Sequence, residues 1–157
     1  MIVVADTSPL NYLVLIGEIE LLPALFSNVL VPQTVFHELQ HPKTSPKVRA
    51  WAANFPLWLE VRTVVSAPTL SLAALDPGER DAIQLALELG VGIVLIDEAA
   101  GRSHAEALHL EVRGTLGIIE RGARLGLTNF RSALIQLEQT SFRISPTVKA
   151  AFLQRNP

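Results

Sequence analysis

The chain has 157 residues, an apolar fraction of 49% and a formal net charge of −2, with a mean hydropathy of +0.34. That apolar content supports a sizeable core and excludes a disordered or low-complexity chain, while runs such as Tyr12–Ile16 and Gly92–Ile96 are too short to span a bilayer. The absence of cysteine excludes disulfides and thiolate metal sites.

The first element is the β-branched run Ile2-Val3-Val4-Ala5, which stops abruptly at Asp6 and reads as a buried strand of a parallel sheet. No basic lead precedes it, so no secretory signal is expected, and the chain reads as cytoplasmic. Thr7-Ser8-Pro9 supplies a capping hydroxyl and a proline at the first helical position, opening a helix Leu10–Ile16 that stops at Gly17. Glu18–Phe26 predicts a short helix and Val29-Leu30-Val31 a second strand. Pro32 opens a helix over Gln33–Gln40 that Pro42 ends. A helix over Lys47–Asn54 and a strand over Leu59–Val64 follow, and then a loop-like stretch, Ala67–Leu75. Asp76-Pro77-Gly78-Glu79 opens a strong helix to Leu89, closed by Gly90.

Gly92–Ile96 is the clearest central strand and ends at Asp97-Glu98. Ala99–Leu108 is helical, Glu111–Arg113 a short strand, and Thr115–Leu125 a helix stopped by Gly126. Two more helices, Asn129–Gln139 and Pro146–Gln154, complete the chain. Strands alternating with helices predict an α/β/α sandwich around a mainly parallel sheet of four to five strands. With no repeat, linker or shift of composition, one domain over 1–157 is expected, its core at about 1–127 and C-terminal helices at about 128–155.

Two of the strands end in aspartate, Asp6 and Asp97. The carboxyl ends of strands form the ligand crevice of an open α/β sheet, so two carboxylates delivered there can converge on one cation. Without a cation their burial together is costly. Each also has a plainer reading, as a partner for the dipole of the helix that follows. Glu38, among Val35, Phe36 and Leu39, is either a site residue or a solvated helix position. Glu79 and Asp81 compete for one role. Helical spacing aligns Glu79 with Ala82, Ile83 and Ala86 on the core side, and sets Asp81 nearer Leu85 and Glu88. Glu79 is the better candidate, although Asp76 and Glu79 also have capping-box spacing.

The segments Val-Val-Ala-Asp-Thr-Ser-Pro-Leu, Val-Pro-Gln-Thr-Val-Phe-His-Glu-Leu, Asp-Pro-Gly-Glu-Arg-Asp-Ala-Ile-Gln-Leu-Ala and Val-Leu-Ile-Asp-Glu occur in the order of the PIN-domain family. They resemble the nuclease domain of prokaryotic VapC-like toxins. Gly101-Arg102 and Arg113-Gly114-Thr115-Leu116-Gly117 look like a compact PIN subfamily and extend the resemblance to about Leu127. By that resemblance Asp6, Glu38, Glu79 and Asp97 fall on the four acidic positions of a catalytic Mg²⁺ or Mn²⁺ site, with Asp81 the alternative third ligand. Thr7 or Ser8 matches the hydroxyl residue after the first aspartate.

The implied activity is metal-dependent endoribonucleolytic cleavage, plausibly by the toxin of a type II toxin–antitoxin pair. RNA is the implied substrate, a small antitoxin protein the implied partner and a homodimer the implied assembly, with no membrane association. Such chemistry needs oxygen ligands for a hard cation that activates water and offsets charge on the leaving oxygen. Arg102 is placed to hold a phosphate or to brace Asp97.

His37-Glu38-Leu39-Gln40-His41 is a literal H-E-x-x-H string, the pattern of a zinc metallopeptidase. Pro42 places His41 at a helix end, no third ligand is evident, and a zinc reading leaves Asp6 and Asp97 unexplained. No glycine-rich phosphate loop is present. The lysines Lys43, Lys47 and Lys149 follow no core strand, which excludes phosphoaspartate receivers and haloacid-dehalogenase-like phosphatases. A catalytically inactive PIN-fold binding module is the non-enzyme alternative. Net charge announces no nucleic-acid binder, yet Arg113, Arg121, Arg124, Arg131, Arg143 and Arg155 all fall in the last third. They are either solvated helix faces or forks suited to phosphate.

Overall fold

The computed structural model describes residues 1–67 and 69–157, with Leu70 described by its backbone. Pro68, inside the stretch Ala67–Leu75 expected to be loop, lies outside the described residues. Five strands form the sheet: β1 (Ile2–Ala5), β2 (Asn28–Pro32), β3 (Leu59–Arg62), β4 (Ile93–Leu95) and β5 (Glu111–Arg113). Their order is β3-β2-β1-β4-β5, and every pairing is parallel.

Alternation along each strand sends neighbours to opposite faces. Val3, Ala5, Val29, Val31 and Leu95 pack into one apolar layer. Val4, Leu30, Val94 and Ile96 pack into the other. The first layer is covered by α1 (Thr7–Leu15), α2 (Leu21–Leu25), α3 (Gln33–Leu39), α4 (Pro46–Ala52), α7 (Thr115–Arg124) and α8 (Phe130–Glu138). The second is covered by α5 (Pro77–Leu89) and α6 (Ala99–Ala107). Burying each large aliphatic side chain contributes about 1.5–3 kcal/mol, so both faces of the sheet are held and the expected sandwich is formed.

β1 is central, and the chain leaves it toward β2 on one side and returns from β3 to β4 on the other. The turn of strand order therefore lies between β1 and β4, where helices from opposite faces part and open a crevice at the strand ends. The backbone is pinned there: Asp6 N–H donates to the Leu95 carbonyl at 3.0 Å and Ile96 N–H to that of Arg113 at 3.0 Å.

Some boundaries move. The first helix begins at Thr7 rather than Leu10, so Asp6 is the residue before the helix and no side-chain capping bond forms. The helix expected over Glu18–Phe26 contracts to Leu21–Leu25, and the strand expected over Leu59–Val64 ends at Arg62. A 3₁₀ turn, Leu70–Leu72, interrupts the expected loop. Gly90 closes α5 in the left-handed region at φ 66°, a conformation that glycine adopts without a steric penalty.

The C-terminal helix α9 (Pro146–Arg155) has no fully buried residue. It is held by Phe152 stacked on Phe130, centroids 5.8 Å apart, and by Glu120, which accepts from Arg155 Nε at 3.1 Å and Asn156 Nδ2 at 2.7 Å. Among the described residues no helix is long and apolar enough to cross a membrane.

Candidate active site

Asp6 follows β1 directly, and Asp97 follows β4 after one intervening residue, Ile96. α3 carries Glu38 to the same end of the sheet, and α5 brings Glu79 there in its first turn. Asp6, Glu38, Glu79, Asp76 and Glu98 line one pocket of about 370 Å³, with Thr7, Ser8, Asn11 and Tyr12 on its rim. Asp97 lies at the border of this pocket and a larger groove, close enough for its charge to act on Asp6.

Gly78 explains how close the acids come. A methyl group on its Cα would stand 2.7 and 2.9 Å from the Glu38 carboxylate oxygens and 3.0 Å from Asp6 Oδ1. Two carboxylates from elements far apart in sequence thus rest on one bare stretch of backbone. Gly101 does the same for Glu79, whose Oε2 occupies the space a side chain there would fill.

The electrostatics follow from this crowding. Asp6 and Glu79 are each only 5% exposed. Burial pushes the Asp6 carboxyl up to about 7; the Thr7 backbone N–H opposes the rise, and the charges of Glu38, Asp97 and Asp76 add to it. Burial likewise pushes Glu79 up to about 8, helped by Asp6, Asp76 and Glu98. Asp97 is raised by burial too, against hydrogen bonds from Thr115, the Arg102 charge and the Ser8 hydroxyl.

Asp97 is tightly oriented. Thr115 N–H donates to its Oδ1 and Thr115 Oγ1 to its Oδ2, both at 2.7 Å. Arg102 donates from Nη1 to the Ile96 carbonyl at 3.2 Å, which places its charge against Asp97. Arg102 makes no ion pair with Asp97 and acts on it through its charge alone. Thr7 gives its hydroxyl to Glu38, and the Ser8 hydroxyl stands against Asp97.

Asp81 stands outside the residues that line this pocket. Its oxygens accept from Thr34 Oγ1 and from Arg80 Nε, the latter at 3.0 Å. Glu79 faces the other acids instead, as the helical-face reading expected. The capping box of Asp76 and Glu79 does not form, because Asp76 makes no side-chain capping bond. Asp76 and Glu98, which sequence reasoning did not place in the site, both line it. Thr115 was also missed as a site residue, although Arg113-Gly114-Thr115 repeats the arrangement of Asp6-Thr7, a hydroxyl residue opening a helix at a strand end.

The H-E-x-x-H string does not assemble a zinc site. α3 ends at Leu39, so His41 lies beyond the helix, and its Nδ1 accepts from the Lys43 N–H at 3.0 Å. His37 and His41 are both exposed, while Glu38 turns toward Thr7 and Asp6. The motif fails because its two histidines never share a helical face.

Among the described residues, no three acidic or histidine side chains already stand together as a set of metal ligands. The donor chemistry nonetheless fits a hard cation. All the converging atoms are carboxylate oxygens, and Glu79 Oε2 is buried with no hydrogen-bond partner. Orphaned buried acceptors carry a desolvation cost of about 1–3 kcal/mol, which a cation offsets.

A family model described as a PIN domain matches residues 2–156. The solved structure of a PilT N-terminus domain protein from the hyperthermophilic archaeon Sulfolobus solfataricus is similar at a TM-score of 0.49 and 11% identity, over 92% of this chain and 100% of that one. No curated protein matches the chain.

Proposed function

The chain belongs to the PIN-domain family, a nuclease-type fold, and on that premise we propose that it is a Mg²⁺- or Mn²⁺-dependent endoribonuclease. The observation that carries the reading is the convergence of Asp6, Glu38 and Glu79 on one pocket, with Asp97 at its border. These four carboxylates would hold the cation. When bound, it would lower the pKa of water and stabilise charge on the leaving oxygen.

The chain's own residues supply the rest. Thr115 fixes the rotamer of Asp97, and Thr7 fixes that of Glu38. Glu79 has its proton affinity raised to about 8, near the pH at which a carboxylate serves best as general base. Its carboxylate lines the pocket beside Asp6, within the site where a water would have to lose its proton. Crowded acids also repel a phosphodiester, so the site favours substrate only once its negative charge is compensated.

Toxin biology is the finest part of the proposal and rests on the sequence resemblance. It carries with it a small antitoxin partner and a homodimer. Cleavage of labelled RNA by the purified protein, in Mn²⁺ or Mg²⁺ with EDTA controls, tests the core of the reading. Asp6→Asn is expected to abolish cleavage, and the double variant His37→Ala/His41→Ala to retain it. Cleavage that survives Asp6→Asn, or that needs the two histidines, would sink the assignment. An intact fold that binds a partner but cleaves nothing with any cation would favour the inactive binding module.

A further inference from the structure

Beside the carboxylate pocket lies a second depression of about 920 Å³, walled by α6, α7 and the segment that leads into α9. Arg102, Arg113, Arg121, Arg124 and Arg143 line it, against the carboxylates of Asp97, Glu106 and Glu120. In a chain of net charge −2 this is a local excess of cations. It gathers four of the six arginines clustered in the last third of the sequence.

Several of these charges are uncommitted. Among the described residues neither Arg121 nor Arg143 has a carboxylate partner. Arg113, by contrast, is committed: it pairs with Glu111 at 3.0 Å and its guanidinium lies over the Phe26 ring, 5.6 Å from the centroid. Arginine forks left unsatisfied in a groove match phosphate oxygens in geometry and charge.

The groove borders the acids at Asp97. Asp97 lines it, and Arg102 spans from the groove to the end of β4. The wall between the two depressions is an aromatic pair. Tyr12, on the rim of the acidic pocket, meets Phe142, in the groove, edge to face with centroids 4.9 Å apart. Phe152, Leu116 and Ile144 add apolar surface to the same groove.

We infer that this groove is the track for a single-stranded RNA segment next to the bond that is cut, its phosphates on Arg121 and Arg143 and an unstacked base against Phe142. The inference rests on the nuclease reading of the neighbouring acids. Single strands are favoured over duplex because a duplex hides its base faces, whereas a cationic groove with aromatic and apolar walls uses them.

The test is equilibrium binding of a short labelled single-stranded RNA of mixed sequence to the full chain in EDTA, where no cutting occurs. Arg121→Ala/Arg143→Ala is expected to weaken binding by about tenfold or more. It should also lower the slope of log affinity against log salt by about 1.4, two phosphate contacts at about 0.7 each. Arg62→Ala, at the far edge of the sheet, should change neither.

Unchanged affinity in the double arginine variant would overturn the inference. So would equal binding of duplex RNA, or displacement of the RNA by polyglutamate at matched charge, which would mark the groove as a site for an acidic peptide. Failure here is distinguishable from failure of the nuclease reading. Cleavage lost in Asp6→Asn with binding indifferent to the arginines removes the groove alone. Arginine-dependent binding without any metal-dependent cleavage removes the nuclease alone.

Discussion

Thr115 grips both oxygens of Asp97, its backbone N–H on Oδ1 and its hydroxyl on Oδ2, each at 2.7 Å. The two residues are brought together by adjacent parallel strands: Asp97 follows β4 and Thr115 opens the helix after β5. A carboxylate held at both oxygens has a fixed rotamer and a fixed lone-pair direction, the role that supporting residues play around metal ligands.

Thr115→Val should therefore act on the site more than its size suggests. Losing one bond to a carboxylate costs about 1.5–3 kcal/mol, and loosening a ligand costs about 10–100-fold in cation affinity or activity. Thr115→Ser keeps the hydroxyl and should restore most of both. Calorimetric Mn²⁺ titration and thermal melting of the two variants check this. A Val variant with unaltered Mn²⁺ affinity would show that the clamp serves packing alone.

Stability of the metal-free protein should fall as pH rises. Asp6 moves from an ordinary value of 3.8 to about 7, and Glu79 from 4.5 to about 8. Between those limits the folded chain holds protons that the unfolded chain has released. The stabilisation is thus complete below about pH 4 and is lost as pH climbs through 7 to 8, by about 1.4 kcal/mol per pH unit for each such proton. Melting in EDTA should show Tm declining from pH 5 to pH 8, with a smaller decline in Asp6→Asn. Because cation binding requires deprotonated ligands, stabilisation by Mn²⁺ should be larger at pH 8 than at pH 6. A flat Tm profile in EDTA would contradict the burial of both acids.

The strand-end aspartates were legible because a β-branched run that stops at an acid is a local pattern, and parallel topology carries such ends to one edge. Glu79 was legible over Asp81 for a similar reason, since one turn of helix fixes which face each residue shares. What escaped depended on distant partners. The first helix begins three residues early, and Thr7 gives its hydroxyl to Glu38, 31 positions away, instead of capping. Thr115 reaches Asp97 across 18 positions, and Asp76 and Glu98 enter the pocket only through the docking of α5 and α6. The H-E-x-x-H string failed in the opposite sense, as a local pattern with no tertiary support.

Glu79 and Asp81 stand two residues apart in α5 and should give opposite phenotypes. Glu79→Gln removes the carboxylate that faces Asp6, and activity should drop by about 100-fold or more if it acts as the base. Asp81→Asn disturbs only the contacts with Thr34 and Arg80. It should retain activity and lose about 1 kcal/mol or less through the partly exposed ion pair. Cleavage rates and Tm for the pair distinguish the roles. Activity lost in Asp81→Asn and kept in Glu79→Gln would reverse the assignment.

Gly78→Ala offers a separation of fold from function. The added methyl would stand 2.7 and 2.9 Å from the Glu38 oxygens, closer than real side chains come, and at a tight 3.0 Å from Asp6 Oδ1. What must give way are the ends of two side chains rather than backbone, so the helix can keep its place while the acids swing apart. Alanine is also a better helix residue than glycine by up to about 1 kcal/mol. The expected result is an unchanged or slightly higher Tm in the metal-free protein, together with a loss of Mn²⁺ affinity of about tenfold or more. RNA binding in EDTA should stay intact, because the arginine groove is untouched. A lowered Tm would mean that the backbone of α5 moves instead. Full Mn²⁺ affinity at unchanged Tm would mean that Glu38 and Asp6 need not sit together on Gly78 to hold the ion.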